Sequence, residues 1–465
     1  MMQNIRLTDA AVRFGGTLVN PDCIFSMVSI DSRTTNEGDL FIAISGDNFD
    51  AHEFIPSIAN KISGAVVSTL DSSLGIPQWV VKDTTQALGD LARLRRDRFA
   101  GQVIAVTGSS GKTSVKEMIA AILRESVNVH ATRGNLNNHI GVPLTLLDMD
   151  DQCDFAVIEM GASAAGEITY LCSIAQPDIA LINNIQRAHI VGFGNIEAIA
   201  EAKSEIYSGL NASGVAILNL DEPYSKDWLV LIADRQYLSF SIKDSRADIF
   251  AKNIKDLGNG CYSFILCVGE VGGSAAVEQL IELPNPGIHS VNNALAAIAC
   301  ALAAGATVTQ ITNGLAKVKP VSGRLEPKTM GDDVLVIDDT YNANPDSFKA
   351  AIDVLANMSG YRCLVMGDMG ELGDDERLLH QQVGEYAKQA KLDEIYTLGT
   401  LSESAAIAFG ACHFKDKNLL IDTLQQKVAV IKAAKEEVTI LVKGSRSARM
   451  EKIVERLVSG EKNAC

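Results

Sequence analysis

The chain has 465 residues, 47% apolar and 21% charged, with 11 prolines, a balance that excludes a disordered or fibrous protein and implies roughly two to four globular domains. A formal charge of −16 excludes a general nucleic-acid or acidic-membrane binder, so any anionic substrate must be met by a local cluster of Lys and Arg. Nine scattered cysteines without a CxxC pair fit reduced thiols better than a disulfide framework or a zinc site.

The opening "MMQNIRLTDAAVRF" lacks a basic-then-apolar signal pattern, and no apolar run reaches transmembrane length, so a cytoplasmic protein is expected. Residues 1–100 read as a small α/β unit. "DLFIAISG" (Asp39–Gly46), "SGAVVST" (Ser63–Thr69) and "QWVVK" (Gln78–Lys82) are short β-rich runs, and "TTQALGDLARLRRDRFAG" (Thr84–Gly101) is a charged helical connection into the next unit.

From Val103 the pattern becomes strand, glycine turn, helix. In "VIAVTGSSGKTSVKEM" the segment Gly108-Ser109-Ser110-Gly111-Lys112-Thr113 has the character of a phosphate-binding loop. Glycines let backbone N–H groups turn inward, the helix N-terminus adds positive potential, Lys112 reaches outer phosphates and the Thr113 hydroxyl can ligate Mg²⁺. Val106 stands where the strict motif has its first glycine. The following helix places Val115, Met118, Ile119, Ile122 and Leu123 on one face.

"DFAVIE" (Asp154–Glu159), "DIALINN" (Asp178–Asn184) and "GVAILNLD" (Gly214–Asp221) are further strands separated by helices, which implies a mostly parallel sheet over residues 101–318, closed by the Ala-rich helix Ser290–Gly305. Glu159, at a strand's C-terminal end, is placed where open α/β sheets hold ligand groups, and it reads either as a metal ligand or as a helix-start carboxylate. By spacing alone, His189 reads as a hydrogen-bonded loop histidine and Lys203 as a solvated helix lysine. After "AKVKPVSGRLEP" the alternation restarts. "VLVIDD", "YRCLVMGD", "EIYTLG" and "VTILVKGS" give a third, Rossmann-like α/β unit over residues 319–465. "SGR" (Ser322–Arg324) marks the joint. "KGSR" (Lys443–Arg446), at a strand-to-helix turn, reads as an anion site or as a capped helix start.

Five stretches together resemble the Mur ligases, cytoplasmic ATP-dependent amide-bond formers of the bacterial cell-wall precursor. They are "TGSSGKTS", "NLNNHIGVP" (Asn135–Pro143), "VIEMGA" (Val157–Ala162), "AHIVGFG…AKSEI" and "DDTYNANPDS" (Asp338–Ser347). The resemblance runs from "SIDSRTTNEGDLFIAISG" (Ser29–Gly46) to "LVKGSRSARMEKIVERL" (Leu441–Leu457). Within the family, "DDTYNANP", "VMGDMGELG" and "LVKGSRS" resemble the member acting last, which implies UDP-N-acetylmuramoyl-tripeptide and D-alanyl-D-alanine as partners, with no nucleic acid, and a monomer.

The resemblance also implies roles. Gly108, Ser109, Ser110, Gly111, Lys112, Thr113 and Ser114 would hold the ATP phosphates, with Thr113 and Glu159 on one Mg²⁺. His189 and Lys203, the latter matching a lysine often carbamylated in this family, would hold a second. Asn293 would contact adenine, and Arg324 and Asp339 would close over the nucleotide. Asp31, Ser32 and Arg33 fall in the uridine-nucleotide part of the N-terminal unit, and Asn135, Asn137 and Asn138 beside the sugar and peptide. Asn342, Asn344, Lys443, Ser445 and Arg446 would serve the substrate from the C-terminal unit.

The chain departs from the family pattern at Ser290, at Ala164 and in "DAH" (Asp50–His52). A ligase with a different amino-acid acceptor, or a non-catalytic P-loop switch, are the competing expectations.

Overall fold

A computed structural model of the chain describes residues 5–25, 27–46, 49–187, 190–258, 260–269, 276–330, 334–434 and 437–459. Beside two two-stranded pairings in the first unit, three main sheets follow one another along the chain. The first has strands β1 (Thr17–Val19), β2 (Val28–Ser29), β3 (Leu40–Ile42), β4 (Gly64–Val67) and β5 (Gln78–Val80) in the order β1-β5-β4-β3-β2. Its β1–β5 pairing is antiparallel and its other pairings are parallel.

Helix α1 (Thr84–Arg98) starts where the Asp83 carboxylate accepts the N–H groups of Thr85 and Gln86 at 2.8 and 3.0 Å. Its arginines suggest a solvated connection, but much of its length is buried. Leu88 and Leu91 are fully buried, and Arg96 donates to the Ala175 carbonyl at 2.8 Å and pairs with Asp178 at 2.9 Å. The guanidinium thus satisfies an end-of-helix carbonyl of the next unit, binding α1 to it.

The second sheet has nine strands: β6 (Gln102–Thr107), β7 (Val129–Ala131), β8 (Phe155–Glu159), β9 (Ile179–Ile182), β10 (Val215–Asn219), β11 (Gln236–Ser241), β12 (Ile249–Asp256), β13 (Cys261–Val268) and β14 (Val277–Pro286). Their order is β7-β8-β6-β9-β10-β11-β12-β13-β14. From β7 to β12 all neighbours are parallel, and Val103 to Val106 in β6 are fully buried, as a strand covered on both faces requires. One face carries α2 (Lys112–Leu123), α5 (Ile288–Ala303) and α6 (Val308–Ala316). The other carries α1, α3 (Glu167–Ala175) and α4 (Ile196–Ser208). The five apolar residues expected on one face of α2 are all buried.

The far edge differs from a simple alternating sheet. β13 pairs antiparallel with both β12 and β14, and a further helix, α6, follows the Ala-rich one. Alternating exposure along β14 is the pattern of an edge strand with one wet face.

The third sheet holds β15 (Glu326–Thr329), β16 (Val334–Asp339), β17 (Tyr361–Gly367), β18 (Glu394–Leu398), β19 (Cys412–Phe414) and β20 (Val438–Lys443), ordered β15-β16-β20-β17-β18-β19. β15 is antiparallel to β16, and the other pairings are parallel. Helices α7 (Pro345–Ala356), α8 (Glu376–Gln389) and α9 (Glu403–Phe409) cover one face, and α10 (Lys417–Ala433) and α11 (Glu451–Ser459) the other.

Helices α8 and α9 meet backbone to backbone. A Cβ on Gly384 would lie 2.3 Å from the Ala405 carbonyl oxygen and 2.8 Å from its Cα. Gly384→Ala is expected to destabilise the C-terminal sheet by about 1–3 kcal/mol in denaturant unfolding; an unchanged midpoint would show that the two helices separate freely.

Candidate active site

The loop expected to bind phosphate is the four-residue turn Gly108–Gly111 between β6 and α2. Gly111 has φ +75°, and a Cβ there would stand 2.6 Å from both Asn183 Nδ2 and Asn293 Oδ1, so no other residue fits. Lys112 Nζ donates to the Gly108 carbonyl at 2.6 Å. One residue on, the Thr113 hydroxyl donates to Glu159 Oε2 at 2.9 Å. Asn137 Nδ2 donates to Glu159 Oε1 at 2.8 Å, and the Glu159 N–H donates to Thr132 Oγ1 at 2.9 Å. Glu159 ends its strand in register with Val106 and is 1% exposed, so it is a buried, oriented carboxylate and not a surface one.

Two lysines of this region lie close enough to influence each other. Burial pushes the Lys112 ammonium down, partly offset by Glu159 and reinforced by Arg324. Lys203, read from spacing as a solvated helix residue, is instead 2% exposed. It shares the apolar face of α4 with Ile199 and Ile206, and burial plus the charge of Lys112 push it down to about 7, against the pull of Glu167. An amine in that range is substantially uncharged at neutral pH.

The C-terminal unit brings its own groups to the same cavity, which has a volume of about 970 Å³ and is lined by Lys112, Glu159, Asn293, Arg324 and Asp339 among others. The Arg324 guanidinium lies over the Tyr341 ring, 4.2 Å from its centroid. Asp339 accepts from the Leu325 N–H at 3.1 Å and from Lys443 Nζ at 2.6 Å, so it orients the residue next to Arg324. Lys443 also donates to the Asn342 carbonyl at 2.9 Å.

Other expected residues have structural duties here. Asn344 caps α7 by accepting from the Ser347 N–H at 2.7 Å. Ser445 donates to the Asp368 carbonyl at 2.7 Å. Arg446 is exposed, with Glu451 at 3.6 Å, although it too lines the cavity. Asn135, Asn137 and Asn138 line the wall beside Glu159. Asp31, Ser32 and Arg33 are not among the lining residues. They sit on the first unit, where Arg33 Nε and Nη2 grip the Asp31 carboxylate at 2.8 and 2.6 Å and hold it down to about 2. His189 lies outside the described residues.

Sequence reasoning passed over Asn183 and Asn184, whose signal was a polar pair directly after the apolar strand β9. It also passed over a set of unsatisfied groups. Gln186 Oε1, Asn285 Oδ1 and His289 Nδ1 are buried without a hydrogen-bond partner among the described residues, and all three side chains line the cavity. Such orphans fit a polar ligand that would satisfy them.

The family model described as the Mur ligase middle domain matches residues 106–301, and that described as Mur ligase, glutamate ligase domain matches residues 323–446. The chain belongs to the Mur ligase family. This Mur ligase is 43% identical to the UDP-N-acetylmuramoyl-tripeptide–D-alanyl-D-alanine ligase of Escherichia coli (strain K12), over 98% of this chain and 99% of that one. It is 36% identical to the ligase of the same name from Bacillus subtilis (strain 168), over 95% and 96% of the two chains. Among solved structures, MurF from Acinetobacter baumannii superposes with a TM-score of 0.90 at 35% identity, covering 98% of this chain and 99% of that one. MurF from Thermotoga maritima in complex with ADP superposes with a TM-score of 0.80 at 29% identity, covering 93% and 97%. The three-domain α/β architecture of these ligases is the one described above.

Lys112→Ala is expected to lower nucleotide-dependent turnover by at least about 10²-fold, as removal of a preorganised charge at a transferring phosphoryl group does. The thermal midpoint should stay within a few degrees, and retained turnover would refute the phosphate role.

Proposed function

We propose that this Mur ligase joins D-alanyl-D-alanine to UDP-N-acetylmuramoyl-tripeptide at the expense of ATP, giving the pentapeptide, ADP and phosphate. The observation that carries the reading is one cavity in which Lys112 and Glu159 of the central unit face Arg324 of the C-terminal unit, in a chain matched from end to end by ligases of that name.

A carboxylate does not react with an amine in water, because its charge repels the nucleophile and it lacks a leaving group. Transfer of the ATP γ-phosphoryl group to the tripeptide carboxylate forms an acyl phosphate. The dipeptide amine then attacks the acyl carbon, and phosphate departs from the tetrahedral intermediate. Carboxylate and triphosphate are both anionic, so Lys112 and Arg324 serve the step by neutralising oxygens and holding them in line. An acyl phosphate is also hydrolysed by any water that reaches it. A lid formed by the C-terminal unit, with Arg324 next to the joint at Ser322–Gly323, excludes that water.

The adjacent Thr113 hydroxyl and Glu159 carboxylate are hard oxygen donors of the kind Mg²⁺ takes, beside phosphate oxygens and retained waters. The ion would supply further charge neutralisation. A second ion is assigned to His189 and Lys203, the lysine as its carbamate. Carbamylation requires a neutral amine, and the depressed Lys203 meets that condition. Residues 1–100 are assigned to the UDP-sugar, residues 101–318 to ATP, and residues 319–465 to nucleotide closure and the dipeptide, with Asp31, Ser32 and Arg33 toward the uridine nucleotide. Among the described residues no helix is long and apolar enough to cross a membrane. We assign the reaction to a monomer in the cytoplasm.

Phosphate release from ATP should require Mg²⁺, UDP-N-acetylmuramoyl-tripeptide and D-alanyl-D-alanine together, with a UDP-linked pentapeptide as product. Release with a single amino acid in place of the dipeptide would move the chain to another branch of the family. Nucleotide binding without turnover would favour a switch. Incubation with ¹³C-bicarbonate should give a carbamate carbon signal that Lys203→Arg abolishes together with most activity; its absence from active enzyme would exclude the modification.

A further inference from the structure

We infer that Asn184, backed by Asn183, is a positioning residue for phosphoryl transfer. It fixes the short loop so that the N–H groups of Gly111 to Ser114, and not those of Ser109 and Ser110, face the nucleotide. The inference rests on the reading of this cavity as an ATP site, and it narrows the set of phosphate-binding amides expected from the motif alone.

The loop's shortness creates the need. Val106 is fully buried within β6, paired across to Glu159, and the strand runs on through Thr107, leaving four residues before α2 begins at Lys112. A strict P-loop has a longer glycine-bounded arch that folds around the phosphates. Here the turn is braced from the neighbouring strand.

The bracing is dense. The Ser109 N–H donates to the Asn184 carbonyl at 3.0 Å, and the Ser110 N–H donates to Asn184 Oδ1 at 2.9 Å. Asn184 Nδ2 returns a bond to the Ser110 carbonyl at 3.1 Å, so the side-chain amide pairs with both backbone groups of Ser110 as a neighbouring strand would. This reciprocity also fixes which way the amide points. Asn183 Nδ2 donates to the same Ser110 carbonyl at 3.0 Å and to Asn293 Oδ1 at 2.9 Å, while Asn219 Nδ2 donates to the Asn183 carbonyl at 2.9 Å. The Ser109 hydroxyl donates to the Gln186 carbonyl at 3.1 Å and accepts the Gln186 N–H at 2.9 Å.

The consequence is a division of the loop's amides. Those of Ser109 and Ser110 are committed to the strand end. Those of Gly111, Lys112, Thr113 and Ser114 have no hydrogen-bond partner among the described residues and stand at the start of a 12-residue helix. They are the amides left for an anion. Asn184 lines the cavity, and its hydrogen bonds go to Ser109 and Ser110, through which it acts.

Two measurements on the full-length protein test this. Hydrogen exchange without nucleotide should find the Ser109 and Ser110 amides protected and those of Gly111 to Ser114 exchanging fast, with the latter alone slowing on addition of Mg²⁺ and ADP. Equal exchange across the loop before ADP is added would overturn the clamp.

In calorimetry, Asn184→Ala and the bulk-preserving Asn184→Leu should each bind Mg²⁺–ADP at least about tenfold more weakly, the loss expected from two hydrogen bonds. KM for ATP should rise in parallel, while the thermal midpoint and KM for the UDP-sugar peptide and the dipeptide stay unchanged. Unaltered ADP affinity, or equal weakening of all three substrates with a fallen midpoint, would overturn the positioning role. Failure of the unaltered chain to bind ADP would overturn the ATP-site reading and the inference with it.

Discussion

Positive charge has to be gathered in one partly buried place within a chain of net charge −16, and the rest of the structure is arranged around that requirement. Burial disfavours each cation separately, and the cations repel each other, as the mutual effect of Lys112, Lys203 and Arg324 shows. Glu159 and Asp339 hold the cluster together without cancelling it. Glu159 is occupied by Thr113 and Asn137, and Asp339 by Lys443 and the Leu325 amide. Such a cluster is poised for an anionic ligand, which would remove the repulsion on binding.

The units supply these charges from separate sheets, so no single element carries the site. Glu159 ends β8 and Lys112 opens the helix after the adjacent β6, at the sheet edge where open α/β folds present ligand groups. Arg324 comes from the segment entering the third sheet, stacked on Tyr341 from just beyond that sheet's β16. Asparagine recurs where these parts meet because its amide both donates and accepts, joining backbone segments without adding charge to an already charged cavity. Asn184 does both at the Ser110 backbone, while Asn183 donates to the Ser110 carbonyl and to Asn293, and Asn137 donates to Glu159.

How much of the molecule is legible in the sequence depends on how local each signal is. The β6–loop–α2 unit is plain because the apolar period switches within a few residues and the loop glycines are motif-bound. Lys203 reads as solvated because a lysine on a helix usually is, although its spacing from Ile199 and Ile206 puts it on the buried stripe. The antiparallel edge β12–β14 escapes a sequence reading because Lys, Asn, Asp, Glu and Gln interrupt β12 and β14, whereas shorter parallel strands such as β9 are unbroken apolar runs. Distances between units are beyond local reading. Nothing near Asp31 and Arg33 in the sequence tells that this ion pair stands apart from the main cavity.

The contact of α6 with α2 carries a mechanical meaning. A Cβ on Gly314 would fall 2.4 Å from the Ile122 Cα, so the two helices touch backbone to backbone near the far end of the helix that begins at Lys112. The chain leaves α6 after Ala316 and reaches Arg324 within eight residues. The helix that bears on α2 is therefore also the one from which the third sheet hangs. Arg324 is thus tethered within eight residues of a helix whose backbone rests on the helix that begins at Lys112.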